Sequence, residues 1–374
     1  MKVIILYRML PQYRREFYCG LREKLSAKGI ELVLIYGKLT GENTHKQDEI
    51  DLDWAVHVPN KTFRFMGKEL YWQPCPKVAT KANLVIVEQA NALLINYYLM
   101  LLRRTKGLKL AFWGHGRNMQ DYPNSLTNRF KRLFIGQCDW WFAYTNGVKE
   151  YLQSHGYPTD RITVVQNSID TRDLIDARQT TDPLILQGLR KELSLGTGPI
   201  GIYCGGMYRE KRIEFLIDAC LKVRTAIPTF ELLVIGGGPD AELVQRAASK
   251  YPWIHYIGPK FGRDRVPYFL IANIVLMPGA VGLVILDSFA LEIPLVTTKY
   301  PFHGPEIDYL QNNYNGLITS NNIDDYAIGI VNLLNDKALL YRLKENSRQD
   351  AVKYSVEKMV DNFCVGIQQA LSGQ

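Results

Sequence analysis

Three short stretches of this chain combine glycines with side chains able to hold an anion or move a proton. The first is Gly205-Gly206-Met207-Tyr208-Arg209-Glu210-Lys211-Arg212, between an apolar run and a helical one. Two glycines let a ligand approach the backbone closely, and a helix amino end favours an anion. Lys211 supplies a point charge, and Arg209 or Arg212 could add a fork of donors for phosphate. The spacing is not that of a Walker loop, and a plain turn with surface charges is the alternative. The second stretch runs from Pro278 to Ser288 and enters a helix at about Gly282. The free amides of Leu283 and Val284 could hold a phosphate there. Asp287, one turn further on, could accept from ribose hydroxyls or merely complement the helix dipole. The third is Phe112-Trp113-Gly114-His115-Gly116-Arg117-Asn118. A histidine between glycines, just past a strand, can donate or accept a proton with an ordinary pKa of about 6.5. Arg117 beside it meets a phosphate or faces solvent.

Alternating strands and helices must carry these loops. Runs at Lys2–Tyr7, Leu32–Tyr36, Leu84–Val87, Leu108–Trp113, Trp140–Tyr144 and Ile162–Val165 read as strands, with helical segments between them. That alternation predicts a parallel sheet with helices on both faces. From Asp170 to Thr197 the pattern breaks around Pro183, and a linker is expected over 171–198. It then restarts, with strands at Ile200–Cys204, Glu231–Ile235, Ile254–Ile257, Ile274–Met277 and Leu295–Thr298. The prediction is an α/β chain of two Rossmann-like βαβ domains, over 1–170 and 199–355. Ligand is expected in the cleft between them, at strand carboxyl ends. An amphipathic helix over 356–371 is expected to pack back on the first domain.

Composition narrows the class. The chain has 374 residues, enough for two or three domains. Its 47% hydrophobic content argues against disorder and low-complexity scaffolds. Six scattered cysteines with no CxxC pair fit reduced thiols rather than a zinc ribbon or a disulfide framework. The most apolar window, Leu84 to Leu102, holds Glu88, Gln89, Asn91 and Asn96 and reads as core, not as a membrane span. No leader peptide is expected, and the expected location is cytoplasmic. Residues 1–170 carry 24 Lys and Arg against 15 Asp and Glu, so the whole positive excess lies in the first half. Such asymmetry suggests an acidic partner for that half. Trp140 and Trp141 read as core. There is no HExxH or GxSxG, and no nucleic-acid motif, so no nucleic-acid partner is expected. The one DxD-like tripeptide, Asp51-Leu52-Asp53, lies far from any phosphate signal, and no metal is expected.

The chain resembles the family-4 glycosyltransferases (glycosyl transferase group 1), retaining enzymes of the GT-B fold. The likeness spans nearly its whole length. It includes Trp113-Gly114-His115-Gly116, the stretch from Asp139 to Val148, and Val165-Gln166-Asn167-Ser168-Ile169-Asp170. It also includes Glu210-Lys211, Ile235-Gly236-Gly237-Gly238-Pro239, Pro305-Glu306 and Asn315-Gly316. The resemblance implies a nucleotide-sugar donor, UDP favoured and GDP next, and no cofactor. Lys211, with Gly205, Gly206, Arg209 and the Gly282, Leu283 and Val284 amides, would hold the diphosphate, and Asp287 the ribose. His115 and Lys211 would be the catalytic residues. Two departures stand out. Gly206 occupies the phosphate loop's usual arginine position, which Arg209 or Arg212 could offset. Gly279 and Asp287 occupy the two positions of the E-x7-E motif, and His303 or Glu306 could replace the lost sugar contact. The acceptor, a glycan or a lipid-linked one, would meet Tyr13, Arg14 and Arg117. Basic residues Arg129, Lys131 and Arg132 beside Phe130 and Leu133 suggest docking on an anionic membrane surface. The alternatives are a GT-B-like sugar-nucleotide epimerase and a catalytically silent sugar-nucleotide-binding protein.

Overall fold

The computed structural model describes residues 1–38, 49–65, 67–74, 81–119 and 121–373. Cys75 lies outside the described residues; the other five cysteines are free. The chain divides into two compact units, one of Met1–Asp170 with Ser355–Gln374 and one of Thr171–Tyr354.

The first unit is built on a seven-stranded parallel sheet. In chain order its strands are β1 (Lys2–Tyr7), β2 (Glu31–Tyr36) and β3 (Val56–His57). The antiparallel hairpin of β4 (Lys61–Phe65) and β5 (Lys68–Trp72) follows. The sheet then resumes with β6 (Leu84–Glu88), β7 (Leu110–Gly114), β8 (Trp140–Ala143) and β9 (Ile162–Val164). Their spatial order is β3-β2-β1-β6-β7-β8-β9. Central strands read as unbroken apolar runs because helices cover both faces; Val3 to Leu6 and Leu84 to Val87 are fully buried. Trp140 and Trp141 are core, their indoles donating to Thr163 Oγ1 and the Ile135 carbonyl. The helix Val356–Ser372 starts at Ser355, whose side chain accepts from the Lys358 amide. It packs on the helix Arg15–Ser26, and its Phe363 stacks on Phe142 at 4.4 Å.

The second unit holds a six-stranded parallel sheet of β10 (Ile200–Cys204), β11 (Glu231–Ile235), β12 (Ile254–Gly258), β13 (Ile274–Leu276), β14 (Leu295–Thr298) and β15 (Gly316–Thr319). The order is β12-β11-β10-β13-β14-β15, so the strand sequence reverses between β10 and β13. The expected linker is instead two helices, Arg172–Thr180 and Pro183–Glu192, belonging to this unit. Pro183 is a start signal rather than a break. Asp182 caps the helix by accepting from the Leu184 amide at 2.8 Å, and proline costs nothing at the first helical position. Ion pairs Arg178–Glu292 and Arg263–Asp176 fasten the first of these helices to the unit. The helices Ile323–Asn335 and Lys337–Lys353 follow β15 and complete the unit. No described helix is long and apolar enough to cross a membrane.

Candidate functional site

In the second unit the two glycine loops meet at the carboxyl edge of the sheet. β10 ends at Cys204, and Gly205 and Gly206 lead to the turn Arg209–Lys211. The loop after β11 presses against them. A Cβ at Gly236 would stand 1.9 Å from the Gly205 carbonyl, so only glycine fits. Arg212 then adopts a left-handed conformation (φ 58°) that turns the chain into the helix Ile213–Ala226. Its guanidinium is held by the Pro278 carbonyl, Asn321 Oδ1 and the face of Phe215, 3.9 Å away. Arg212 therefore braces the turn and is not a spare phosphate ligand. Arg209 is exposed.

The loop after β13 is pinned residue by residue. The Pro278 carbonyl accepts from Thr298 Oγ1 at 2.8 Å. The Ala280 amide donates to the Glu210 carbonyl at 2.8 Å, and the Lys211 ammonium donates to the Ala280 carbonyl. The Val281 amide donates to His303 Nδ1 at 3.0 Å, and Nε2 of the same ring meets the Thr298 carbonyl at 2.9 Å. Both His303 nitrogens are thus spent on the fold, which corrects the expectation that this side chain contacts a sugar. Glu306 is buried, and its charge acts on Lys211. Gly279 has no room for a glutamate: a Cβ there would lie 2.2 Å from the Glu210 carbonyl oxygen. Past this anchored stretch, no side chain caps the helix Val284–Ala290, leaving the Gly282, Leu283 and Val284 amides at its mouth.

Lys211 is buried and uses one of its three donors within the protein. Burial pushes its ammonium down to about 8, against the opposing pull of Glu306 and Glu210. Asp287 is also buried, and both its oxygens take the Arg265 guanidinium, at 2.7 and 2.9 Å. Burial still pushes the Asp287 carboxyl up despite that partner. Arg265 was not legible in the sequence, because it comes from a surface-like GRDR turn after β12. Its electrostatic contact with Cys204 places it close to the start of the glycine loop.

The first unit presents Tyr7, Glu88, Gly114-His115 and Tyr144 where β1, β6, β7 and β8 end. His115 packs edge-on against Tyr144 at 4.4 Å. Burial, with Lys131 and Arg14 nearby, pushes its pKa down to about 3, so the imidazole is neutral at pH 7. Arg14 is not a surface acceptor ligand. It is buried, donating to the Ser168 carbonyl at 3.1 Å and to Asn167 Oδ1, and touching Met359 Sδ of the last helix. Three aromatic rings besides Tyr13 enclose it. Tyr13 is exposed beside it. Arg117 lies over the Tyr151 ring, 5.5 Å away. Lys131, expected on a basic outer face, is buried too, because its helix turns that side inward. Asp51 is engaged by Tyr36 and Lys38 at 2.6 and 3.0 Å.

Two parallel Rossmann-like sheets with their loops at the carboxyl edges define an α/β protein of the GT-B fold. Solved structures agree over nearly the whole chain. HepE of Anabaena, crystallised with UDP, has a TM-score of 0.71 at 15% identity, over 98% of this chain and 100% of that one. Sucrose-phosphate synthase of Thermosynechococcus elongatus has a TM-score of 0.68 at 16% identity, over 100% of both chains. The chain belongs to the family-4, group 1 glycosyltransferases: the Glycosyltransferase Family 4 model matches residues 18–173, and the Glycosyl transferases group 1 model matches 198–336. Among curated proteins it is 19% identical over 340 residues to the GtfA subunit of the Streptococcus agalactiae UDP-N-acetylglucosamine–peptide N-acetylglucosaminyltransferase, across 87% of this chain. It is 25% identical over 170 residues, 42% of its length, to a GDP-mannose-dependent alpha-(1-6)-phosphatidylinositol monomannoside mannosyltransferase of Mycobacterium tuberculosis. The matches span 65% and 43% of those two proteins.

Proposed function

We propose that the protein transfers a sugar from a nucleoside-diphosphate donor to a glycan or lipid-linked acceptor, with retention at the anomeric carbon and without a metal. UDP is the favoured nucleotide and GDP the next. The observation that carries this reading is Lys211, a buried ammonium with two donors to spare, in a loop fastened to the approach to three uncapped amides. Breaking the anomeric C–O bond leaves negative charge on the departing diphosphate. Donors fixed in advance stabilise that charge most when they are shielded from water. Lys211 and the Gly282 to Val284 amides are such donors, and the leaving phosphate can itself take the acceptor proton. Neutral His115 is the hydrogen-bonding group we assign to a sugar at the carboxyl edge of the first sheet.

The test is a thermal-shift panel of UDP-, GDP-, ADP- and dTDP-sugars, followed by NMR of the product anomer. A UDP-sugar is expected to raise the midpoint most; no response to any nucleotide would remove the reading. A silent binding protein would bind without releasing nucleotide in a donor-hydrolysis assay. Asp287→Asn should weaken nucleotide affinity about tenfold, by loosening the fork that Arg265 makes and removing a charged acceptor for ribose hydroxyls; calorimetry with UDP reads it.

Membrane docking belongs to the same proposal. Leu126, Phe130 and Leu133 share a helical face and its continuation at 82%, 45% and 69% exposure, with Tyr122 at 67% nearby. Arg129 and Arg132 flank them, so the patch suits an anionic bilayer surface. Replacing Leu126, Phe130 and Leu133 with serine should reduce sedimentation with phosphatidylglycerol vesicles about tenfold, since binding scales with the apolar area inserted.

A further inference from the structure

We propose that the carboxyl edge of the first sheet is a subsite for an uncharged saccharide, whose neighbouring hydroxyls are bracketed by the Glu88 carboxylate and the Lys131 ammonium. This rests on the reading that the first unit takes the acceptor, and it names the acceptor's chemistry.

Position comes first. β1 lies between β2 and β6, so the strand order reverses there. Open α/β sheets bind ligands at such a reversal. Leu6 is in register with Val87, which sets Tyr7 beside Glu88; Glu88 is in register with Trp113, two residues before His115. Lys131 faces this row from the helix Leu126–Arg132. Its charge is felt by His115, and the Glu88 charge is felt by Lys131.

Incomplete bonding is the second observation. Lys131 is 9% exposed, yet neither its ammonium nor the Glu88 carboxylate has a hydrogen-bond or ion-pair partner among the described residues. The His115 ring nitrogens have none either. Gln89 Oε1, in the residue after Glu88, and Trp113 Nε1, in the residue paired with Glu88 across the sheet, are buried without a partner among the described residues, Gln89 being 6% exposed. Buried polar groups are almost always satisfied, and an unpaired buried charge is costly. A group from outside the fold would complete these.

Charge decides the class of that group. Glu88 and Lys131 cancel, and His115 is neutral, so the edge offers one acceptor-only group, one donor-only group and an imidazole. A hydroxyl pair fits, donating to Glu88 and accepting from Lys131. A phosphate or carboxylate drawn to Lys131 would meet the Glu88 charge at the same spot.

Saturation-transfer NMR on the full chain tests this. The probes are methyl glycosides of glucose, galactose, mannose and N-acetylglucosamine, with glucose 6-phosphate and glucuronate as charged counterparts and UDP as a control. At least one methyl glycoside should give a signal that falls at least fivefold in Glu88→Gln and in Lys131→Met, while UDP signals persist. Lys131→Met should also unfold at a higher temperature, because an unpaired charge at the end of a largely buried side chain is gone. No glycoside signal with the unaltered protein, preference for the charged sugars, or signals unchanged in both variants would overturn the proposal. So would a lower unfolding midpoint for Lys131→Met, which would make the lysine a structural element. Glycoside signals without any UDP signal would count against the donor reading and leave the subsite standing.

Discussion

Lys211→Ala is expected to weaken nucleoside-diphosphate binding by roughly 2–3 kcal/mol, about 30- to 150-fold, the scale for losing a charged hydrogen bond. Calorimetry with UDP and GDP measures it. The size follows from where the ammonium sits. A surface lysine would contribute little through screened charge, whereas this one is buried, tied to the Ala280 carbonyl, and keeps two donors for a ligand. Lys211→Met fills the space without the charge, so equal losses in both variants assign the effect to the ammonium rather than to collapse of the loop. An unchanged affinity in both would remove Lys211 from the donor site. Acidity gives an independent readout. The folded pKa of about 8 lies below the value of about 10.4 expected for an unfolded lysine. Between those values the unfolded chain holds more protons, so the unliganded protein gains stability as pH rises through that window. Diphosphate affinity should fall over the same interval, as the folded ammonium loses its proton. In Lys211→Met both trends should flatten.

The fold was legible where local signals agreed with tertiary structure. Apolar runs ended by Gly114, Gly205 and Gly236 mark strands that enter loops at one edge of each sheet. The position of the candidate glycine loops was legible for the same reason: glycine and lysine stand where a strand gives way to a helix. Pro183 misled because a proline that breaks one pattern also opens a helix when an aspartate precedes it. What a side chain does with its charge was not legible. Arg14, Arg212 and Lys131 read alike as basic residues near candidate loops. Burial makes the first a brace for residues 167 and 168 and the second a brace for the Pro278 loop, and it leaves the third unpartnered. Those fates depend on contacts such as Arg14 with Met359, 345 positions apart. Arg265 and His303 were misplaced or missed for the same reason, since their partners lie 22 residues away in sequence.

Gly279→Glu, which restores the family's usual residue, is expected to destabilise the protein by about 3 kcal/mol or more. A thermal or denaturant midpoint measures it. Any Cβ at this position would lie 2.2 Å from the Glu210 carbonyl oxygen and 2.7 and 2.8 Å from backbone atoms of Lys211. Backbone cannot swing aside as a lysine tip would, so the two loops must separate. Separation would break the Ala280–Glu210 hydrogen bond and carry Lys211 off the Ala280 carbonyl. Gly279→Ala isolates the cause, since it adds the same Cβ and no carboxylate. Comparable losses in the two variants make the glycine a packing requirement of the lysine loop. A stable Gly279→Glu with transferase activity that the unaltered protein lacks would instead mean that the chain simply lacks a sugar-binding carboxylate, and would favour the silent-protein alternative. The geometry argues for the former. With Gly279 closed in and both His303 nitrogens occupied, Glu306, whose charge acts on Lys211, is the carboxylate among the residues expected to replace the lost contact. We propose that it supplies the acidic charge from the turn after β14, while the Gly279 loop is packed tightly enough to hold the ammonium in place.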